Sequence, residues 1–241
     1  MILSNKHIIL TNYGSTDSFN ILTKFGATLY HFPMIEIAEK FDKKPFNLSD
    51  FDYYIFTSKN GVNSFFNLNF VKGKIIKAIC LGEKTKDALL DKDIEPVFVS
   101  NKSYADNLIS ELLENQIVKN KKILLVLGNL ADDRIEEQLS SICSVKRIDI
   151  YNTNLETKKE EEITDLLDNR NTISIFTSPS SFQAFNNLYD SEKTILVSIG
   201  TTTSKAIKSL GFLPKIIADE QTYVGVSKAI INYYETKNIR I

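Results

Sequence analysis

Two stretches of the chain, about 120 residues apart, spell nearly the same piece of protein. Tyr54-Ile55-Phe56-Thr57-Ser58-Lys59-Asn60-Gly61-Val62 returns as Ser174-Ile175-Phe176-Thr177-Ser178-Pro179-Ser180-Ser181-Phe182, an offset of 120 between Thr57 and Thr177. Ile79-Cys80-Leu81-Gly82-Glu83-Lys84-Thr85-Lys86-Asp87-Ala88 returns as Val197-Ser198-Ile199-Gly200-Thr201-Thr202-Thr203-Ser204-Lys205-Ala206, at an offset of 118 that still holds at Pro96 and Pro214. Tyr104 and Tyr223 follow in similar contexts, each ahead of an amphipathic stretch. The pattern reads as a duplication whose halves share their loops more clearly than their cores. Loops held on a rigid scaffold carry most binding functions. The function is therefore to be sought where two copies of one loop set can face a single ligand.

Apolar runs and helical patterns alternate along the chain. Strands are expected at Ile8–Leu10, Tyr53–Phe56, Ile75–Leu81, Pro96–Val99, Ile123–Leu127, Val145–Tyr151, Thr172–Phe176, Thr194–Ile199 and Pro214–Ala218, with an extended segment at Thr28–Ile37. Helices are expected at Ser15–Phe25, Asn60–Leu68, Lys84–Leu90, Tyr104–Leu113, Ala131–Leu139, Lys159–Leu167, Pro179–Leu188, Thr202–Leu210 and Val224–Tyr234. Short apolar strands separated by helices predict an α/β protein of parallel sheets covered on both faces.

With 241 residues, 43% of them apolar, the chain has enough material for one large domain or two of ordinary size. A formal charge of −1 argues against a nucleic-acid binder that works by bulk electrostatics. No apolar run approaches a membrane span; Ile75 to Leu81 is typical, and Lys77 interrupts it. Met1 to Leu10 lacks the apolar core and small-residue cleavage site of a signal peptide. Cys80 and Cys143 form no CxxC pair, and Cys80 reads as a reduced core thiol. The expectation is a cytoplasmic protein, with no nucleic-acid or membrane partner.

The repeated loops carry the chemistry. In Phe176-Thr177-Ser178-Pro179-Ser180-Ser181 a strand ends and a helix begins at once. Ser178 suits the N-cap, and Pro179 the first helical position, where its missing N–H would have had no partner. The amides of Ser180 and Ser181 are expected to point out of the helix end with the positive pole of its dipole behind them, an anion site needing no charged side chain. Ser58-Lys59-Asn60-Gly61 repeats the arrangement, and Gly61 allows close approach to the backbone. Gly82-Glu83-Lys84-Thr85 and Gly200-Thr201-Thr202-Thr203 make a second pair at strand ends, the edge where open α/β sheets bind ligands. The candidate binding residues are Thr57, Ser58, Asn60, Gly61, Gly82, Thr85, Ser178, Ser180, Ser181, Gly200, Thr201 and Thr202.

Helix capping alone accounts for any one of these loops taken singly. Four of them in matched pairs argue for a shared ligand. Lys59, Lys84, Lys86 and Lys205 stand in or just behind the loops, though each alone reads as a solvated lysine. Neither GxxxxGK[ST] nor GxGxxG occurs. His7 and His31 lack metal-ligand spacing and read as structural, and Glu160-Glu161-Glu162 reads as an exposed helix start.

These residues resemble the uroporphyrinogen-III synthases over nearly the whole chain. Thr11 after the opening strand, Phe25-Gly26-Ala27 and Phe32-Pro33-Met34-Ile35-Glu36-Ile37 resemble the family's first segment. Phe56-Thr57-Ser58-Lys59-Asn60-Gly61-Val62 is similar to its first Thr-Ser loop, and Leu81-Gly82-Glu83-Lys84-Thr85 to the Gly-x-x-Thr loop that follows. Ile150-Tyr151-Asn152-Thr153 is similar to its Tyr-x-Thr segment. Thr177-Ser178-Pro179-Ser180-Ser181 and Ile199-Gly200-Thr201-Thr202-Thr203 resemble its two most recognisable loops. Two departures stand out: Asn12-Tyr13 where members often carry Arg-Pro, and Thr201 where proline is common.

The resemblance implies two similar α/β domains, each a parallel sheet flanked by helices, joined by a two-stranded linker with the chain crossing twice. Carried onto this sequence, residues 1–36 plus 153–241 form one domain, 40–149 the other, and 37–39 and 150–152 the linker segments. It implies closure of hydroxymethylbilane, a linear tetrapyrrole, to uroporphyrinogen III with inversion of the last ring and loss of water, by a monomer using no metal or organic cofactor. Tyr151 is the implied catalytic residue, donating a hydrogen bond or proton to the departing oxygen; the plainer reading is a linker tyrosine packed on a sheet edge. Two other functions stay open on the residues alone. One is a non-catalytic tetrapyrrole- or anion-binding module, and the other a phosphosugar-binding enzyme on the same duplicated scaffold.

Overall fold

The computed structural model describes residues 1–40, 47–100, 105–169 and 171–238. β1 (His7–Leu10) leads through a short helix α1 (Ile21–Lys24) to β2 (Thr28–His31) and β3 (Ile35–Glu39). Next come β4 (Tyr53–Phe56), α2 (Lys59–Phe66), β5 (Ala78–Leu81), α3 (Glu83–Leu90), β6 (Phe98–Ser100) and α4 (Ala105–Glu114). β7 (Lys122–Gly128), α5 (Arg134–Ser140) and the long β8 (Ser144–Leu155) follow. The chain then forms α6 (Glu161–Asp168), β9 (Thr172–Phe176), α7 (Pro179–Leu188), β10 (Ile195–Ser198), α8 (Thr201–Ser209), β11 (Ile216–Ile217) and α9 (Tyr223–Asn238).

Contacts divide the chain into two units, Met1–Glu36 with Asn154–Ile241, and Ile37–Thr153. The first holds a five-stranded sheet in the order β11-β10-β9-β1-β2, every neighbouring pair parallel. The six-stranded sheet runs β3-β8-β7-β4-β5-β6, with β4–β5, β4–β7, β5–β6 and β7–β8 parallel. The division falls inside β3 and inside β8, so residues 37–39 and 150–152 lie in strands, and Thr153 falls in the second unit.

Strands rich in Ile, Leu and Val bury both faces, as a parallel sheet requires. In the first unit Ile8, Leu10, Ile173 and Ile175 pack with Val226 and Ile230 of α9. The opposite face puts Ile9 and Phe176 against Ile163 of α6, Phe182 and Phe185 of α7 and Ile207 of α8. In the second unit Phe56, Cys80 and Val126 meet Val62 and Phe65 of α2, while Ile55, Ile79 and Leu125 meet Leu108 and Leu112 of α4.

Strand order fixes where a ligand can bind. From β9 the chain moves outward to β10 and β11, whereas from β1 it moves the other way to β2. From β4 it moves outward to β5 and β6, and from β7 to β8. The reversals, between β9 and β1 and between β4 and β7, open crevices at the carboxyl ends of the strands. Thr177-Ser178 and Thr11-Asn12 stand at the first, Thr57-Ser58 and Gly128 at the second.

Several expected elements differ. The helix expected over Ser15–Phe25 is a 3-10 turn at Asp17–Phe19 and the single turn of α1. Thr16 makes no side-chain cap there, so a longer helix lacks a favourable start. The strand expected from Ile75 starts at Ala78, because its partner β4 pairs only from Tyr54 onward, and Ile75 is 89% exposed. Tyr104, expected to open the following helix, lies outside the described residues. Among the described residues no helix is long and apolar enough to cross a membrane.

Candidate active site

In the second unit β4 runs directly into α2. Ser58, extended at φ −152° and ψ 152°, caps the helix, its Oγ accepting from the Gly61 amide at 3.0 Å. The same Oγ lies 3.0 Å from the phenol oxygen of Tyr151. Tyr151 stands on β8 opposite Gly128, where the β7–β8 register slips between Leu127 and Gly128. The slip lays the ring over Gly128 so closely that a Cβ there would sit 2.4 Å from the Tyr151 Cζ. No other residue leaves that space. The Tyr151 carbonyl accepts from the Asn129 amide at 3.1 Å, which holds the strand in place beneath the ring.

Burial raises the pKa of Tyr151, the Ser58 hydrogen bond pulls it back, and Asp149 adds to the rise. The phenol therefore stays protonated at neutral pH, as a proton donor must. Gly61 is buried and faces inward, where a Cβ would lie 3.3 Å from the Val126 carbonyl oxygen. Asn60 and Thr57 are half-buried beside it. At α3, Gly82 caps with φ 77°, a left-handed conformation that glycine adopts without strain, and Thr85 is buried behind it. Partial loss of hydration, with a smaller part from the nearby Lys59 charge, lowers the pKa of Lys84, which places the two lysines close enough to interact.

The first unit repeats the local geometry. Ser178, at φ −155° and ψ 159°, caps α7 with its Oγ accepting from the Ser181 amide at 3.1 Å, and the Ser181 hydroxyl reaches back to the Ser178 amide in a capping box. Here the structure changes one expectation. The Ser181 and Gly61 amides are used by the caps, so the amides that the caps leave to a ligand are those ahead of them, at Ser180 and Asn60. Ser180 also bonds Ser178, Oγ to Oγ, at 3.0 Å. Gly200 starts α8 without a side-chain cap and is covered by Gln221, whose Cγ would lie 2.6 Å from a Cβ there. Thr201 and Thr202 are exposed beyond it.

Sequence reasoning missed Gly128 and the part played by Tyr223. Burial raises the pKa of the Tyr223 phenol, and the Thr177 and Asn12 side chains near it pull it back. Its ring stacks on Phe19 at 4.8 Å. Each unit thus has a tyrosine hydroxyl near its Thr-Ser loop, Tyr151 hydrogen-bonded to Ser58 and Tyr223 in the neighbourhood of Thr177. The signal for Tyr223 lay in the sequence, in its place at the same point of the second half as Tyr104 in the first. Gly128 gave none, because its role depends on a register slip. The histidines serve structure: His31 Nε2 lies 2.9 Å from the Asn12 carbonyl oxygen, and His7 pairs with the Tyr30 hydroxyl. Among the described residues no group of three His, Cys, Asp or Glu side chains is placed to hold a metal ion.

Comparison with known proteins adds a family. The family model "Uroporphyrinogen-III synthase HemD" matches residues 20–226. The chain belongs to this family. It is 25% identical over 221 residues to the porphyrin biosynthesis protein HemD of Ruminiclostridium josui, a match covering 83% of this chain and 43% of that protein. The chain thus spans less than half the length of that curated relative. Its fold is similar to that of the uroporphyrinogen-III synthetase of Helicobacter pylori, with a TM-score of 0.67 at 19% identity over 95% of this chain and 99% of that one. A mutant uroporphyrinogen III synthase of Thermus thermophilus gives 0.67 at 14% identity, over 96% and 99%. Asn12, expected above to depart from the family pattern, lies ahead of the residues that the family model matches. Its side chain is buried and donates to the Ser15 carbonyl oxygen at 3.2 Å, tying down the loop after β1.

Proposed function

We propose that the protein closes hydroxymethylbilane to uroporphyrinogen III, with Tyr151 assisting departure of the hydroxyl. The observation that carries the proposal is the Tyr151 phenol, kept protonated by burial and fixed by Ser58 and Gly128 at the carboxyl edge of a parallel sheet. The substrate carries eight carboxylates on four similar rings. Helix-start amides such as those of Asn60 and Ser180 suit such a ligand, since they donate hydrogen bonds without making the protein strongly basic.

In the reaction the C–O bond of the hydroxymethyl group breaks and its oxygen, given a proton, leaves as water. The resulting azafulvene-like cation is attacked by the already substituted carbon of the last ring to give a spiro intermediate. The older bond from that carbon to the neighbouring ring's methylene then breaks. The azafulvene-like cation so released is attacked by the free carbon of the last ring, and that carbon loses its proton. Position and electrostatics supply most of what these steps need. Tyr151 is the group placed to give the first proton. Neither a metal nor an organic cofactor enters these steps, and we place the activity in a cytoplasmic monomer; the free cysteines fit a reducing compartment.

The test is the isomer formed. Without an enzyme hydroxymethylbilane closes head to tail to the symmetric type I product. Only a site that holds the last ring in one orientation favours inversion. The purified protein is expected to give almost wholly type III, read by chromatography of the oxidised porphyrins. The same isomer ratio with and without protein would overturn the synthase reading and leave a binding module in its place.

A further inference from the structure

We infer that Gly128 and Ser58 are positioning residues for the Tyr151 phenol, Gly128 by giving the ring its place and Ser58 by aiming its proton. The inference rests on the reading of Tyr151 as the proton donor. The two residues reach the ring from different elements, Gly128 from the end of β7 and Ser58 from the start of α2.

Gly128 acts by absence. A methyl group there would lie 2.4 Å from Cζ, 2.5 Å from Cε2 and 2.8 Å from the hydroxyl oxygen of Tyr151. All three atoms belong to the far end of one side chain, so the ring and not the backbone must move. Gly128→Ala should therefore leave the fold intact and swing the phenol away from Ser58.

Ser58 acts by direction. A serine hydroxyl has one proton and two lone pairs. One lone pair already takes the Gly61 amide at 3.0 Å, and the Tyr151 oxygen lies a further 3.0 Å hydrogen bond away, to which, in the arrangement inferred, Ser58 gives its hydroxyl proton. Tyr151 then accepts from Ser58 and turns its own proton outward. The result is a chain of donors, from Gly61 N–H to Ser58 O–H to Tyr151 O–H to the departing oxygen, in which each bond polarises the next. A donor to the phenol oxygen stabilises the phenolate left after transfer, which is what this direction contributes to the step.

The experiment compares Gly128→Ala, Ser58→Asp, Ser58→Thr and Tyr151→Phe, with Gly128→Ala and Ser58→Asp also made in the Tyr151→Phe background. The readouts are kcat, KM, isomer ratio and thermal midpoint. Aspartate caps a helix as well as serine does but only accepts hydrogen bonds, so Ser58→Asp keeps α2 capped while drawing the Tyr151 proton to itself. It should lower kcat by about tenfold or more; the new carboxylate beside the Asn60 amide also raises KM, so kcat, and its coupling to Tyr151→Phe, is the readout that decides. Ser58→Thr, which both caps and donates, should restore the rate. Gly128→Ala should lower kcat likewise. Neither change should cost more than about twofold once the Tyr151 hydroxyl is gone, because groups that act as a unit are not additive. Full multiplication of the effects with Tyr151→Phe, or wild-type kcat in Ser58→Asp, would overturn the inference. Should Gly128→Ala fail to fold, the two Ser58 variants decide. Wild-type kcat in Tyr151→Phe would remove the donor and this inference with it, whereas failure of the unaltered protein to make type III would overturn the family activity itself.

Discussion

An exposed ammonium such as that of Lys59 or Lys205 contributes roughly 0–1 kcal/mol to holding a carboxylate, because water and salt screen it. Lys59→Ala and Lys205→Ala should therefore each raise KM by no more than about fivefold, with kcat unchanged. Steady-state kinetics at two salt concentrations checks this; a loss of a hundredfold from either change would make lysine charge the main anchor. At this scale the sequence was readable wherever a residue's role is local. Ser58 and Ser178 declare themselves as caps because the chain turns from strand to helix around them, and both form the hydrogen bond that a cap should. Gly128 and the Tyr223–Thr177–Asn12 cluster were not readable, since they depend on strand pairing and on side chains that meet from distant parts of the chain.

Helix starts are where the residues become a device. α7 was legible to the residue, Pro179–Leu188, because a serine cap and a proline at the first position mark its start twice. The stretch around α1 was not, because Phe19 and Leu22 look like a helical face while nothing caps a helix there. If the Ser180 and Thr202 amides bind substrate carboxylates, removing the amide must cost more than removing the side chain. Ser180→Ala and Thr202→Ala keep the donor; Ser180→Pro and Thr202→Pro delete it in the first turn, where no intrahelical hydrogen bond is lost with it. The proline variants should raise KM by about tenfold or more and the alanine variants by about twofold or less, since a hydrogen bond to a charged group contributes roughly 1.5–3 kcal/mol. Circular dichroism must show the same helix content in all four. Equal losses from the alanine and proline changes would count against amide binding.

At the scale of the whole molecule, alternation of strand and helix was enough to announce parallel sheets, but the strand order was not in the pattern. Both sheets place a Thr-Ser loop at the reversal of winding, although the chain reaches the two reversals by different routes. In the first unit β1 and β9 meet across 165 residues, as His7 pairs with Thr172, and no local signal spans that distance. The same cores set how the molecule responds to alkali. Burial holds the Cys80 thiol, ordinarily at 9.0, up at about 12, with Glu83 adding to the rise and Lys86 opposing it. Burial likewise raises Tyr54 and Tyr234 from 10.0 to about 12. A raised pKa means that the folded state holds the proton more tightly than the unfolded one, so the stability linked to it is full below the unfolded value and lost as pH climbs toward the folded one. The thermal midpoint should then be level up to about pH 9 and fall above it, first through Cys80 and from about pH 10 through both tyrosines as well. Cys80→Ala should flatten the fall between about pH 9 and 10, at the cost of a lower midpoint at neutral pH from the vacated space. Calorimetry across that range checks the first outcome, and the rate of thiol labelling checks its cause. Cys143, only half-buried, should react well before Cys80, which is fully enclosed. Labelling of Cys80 as fast as Cys143 in the folded protein at neutral pH would mean that the core beneath the Gly82 loop opens freely, and the alkaline transition would need another origin.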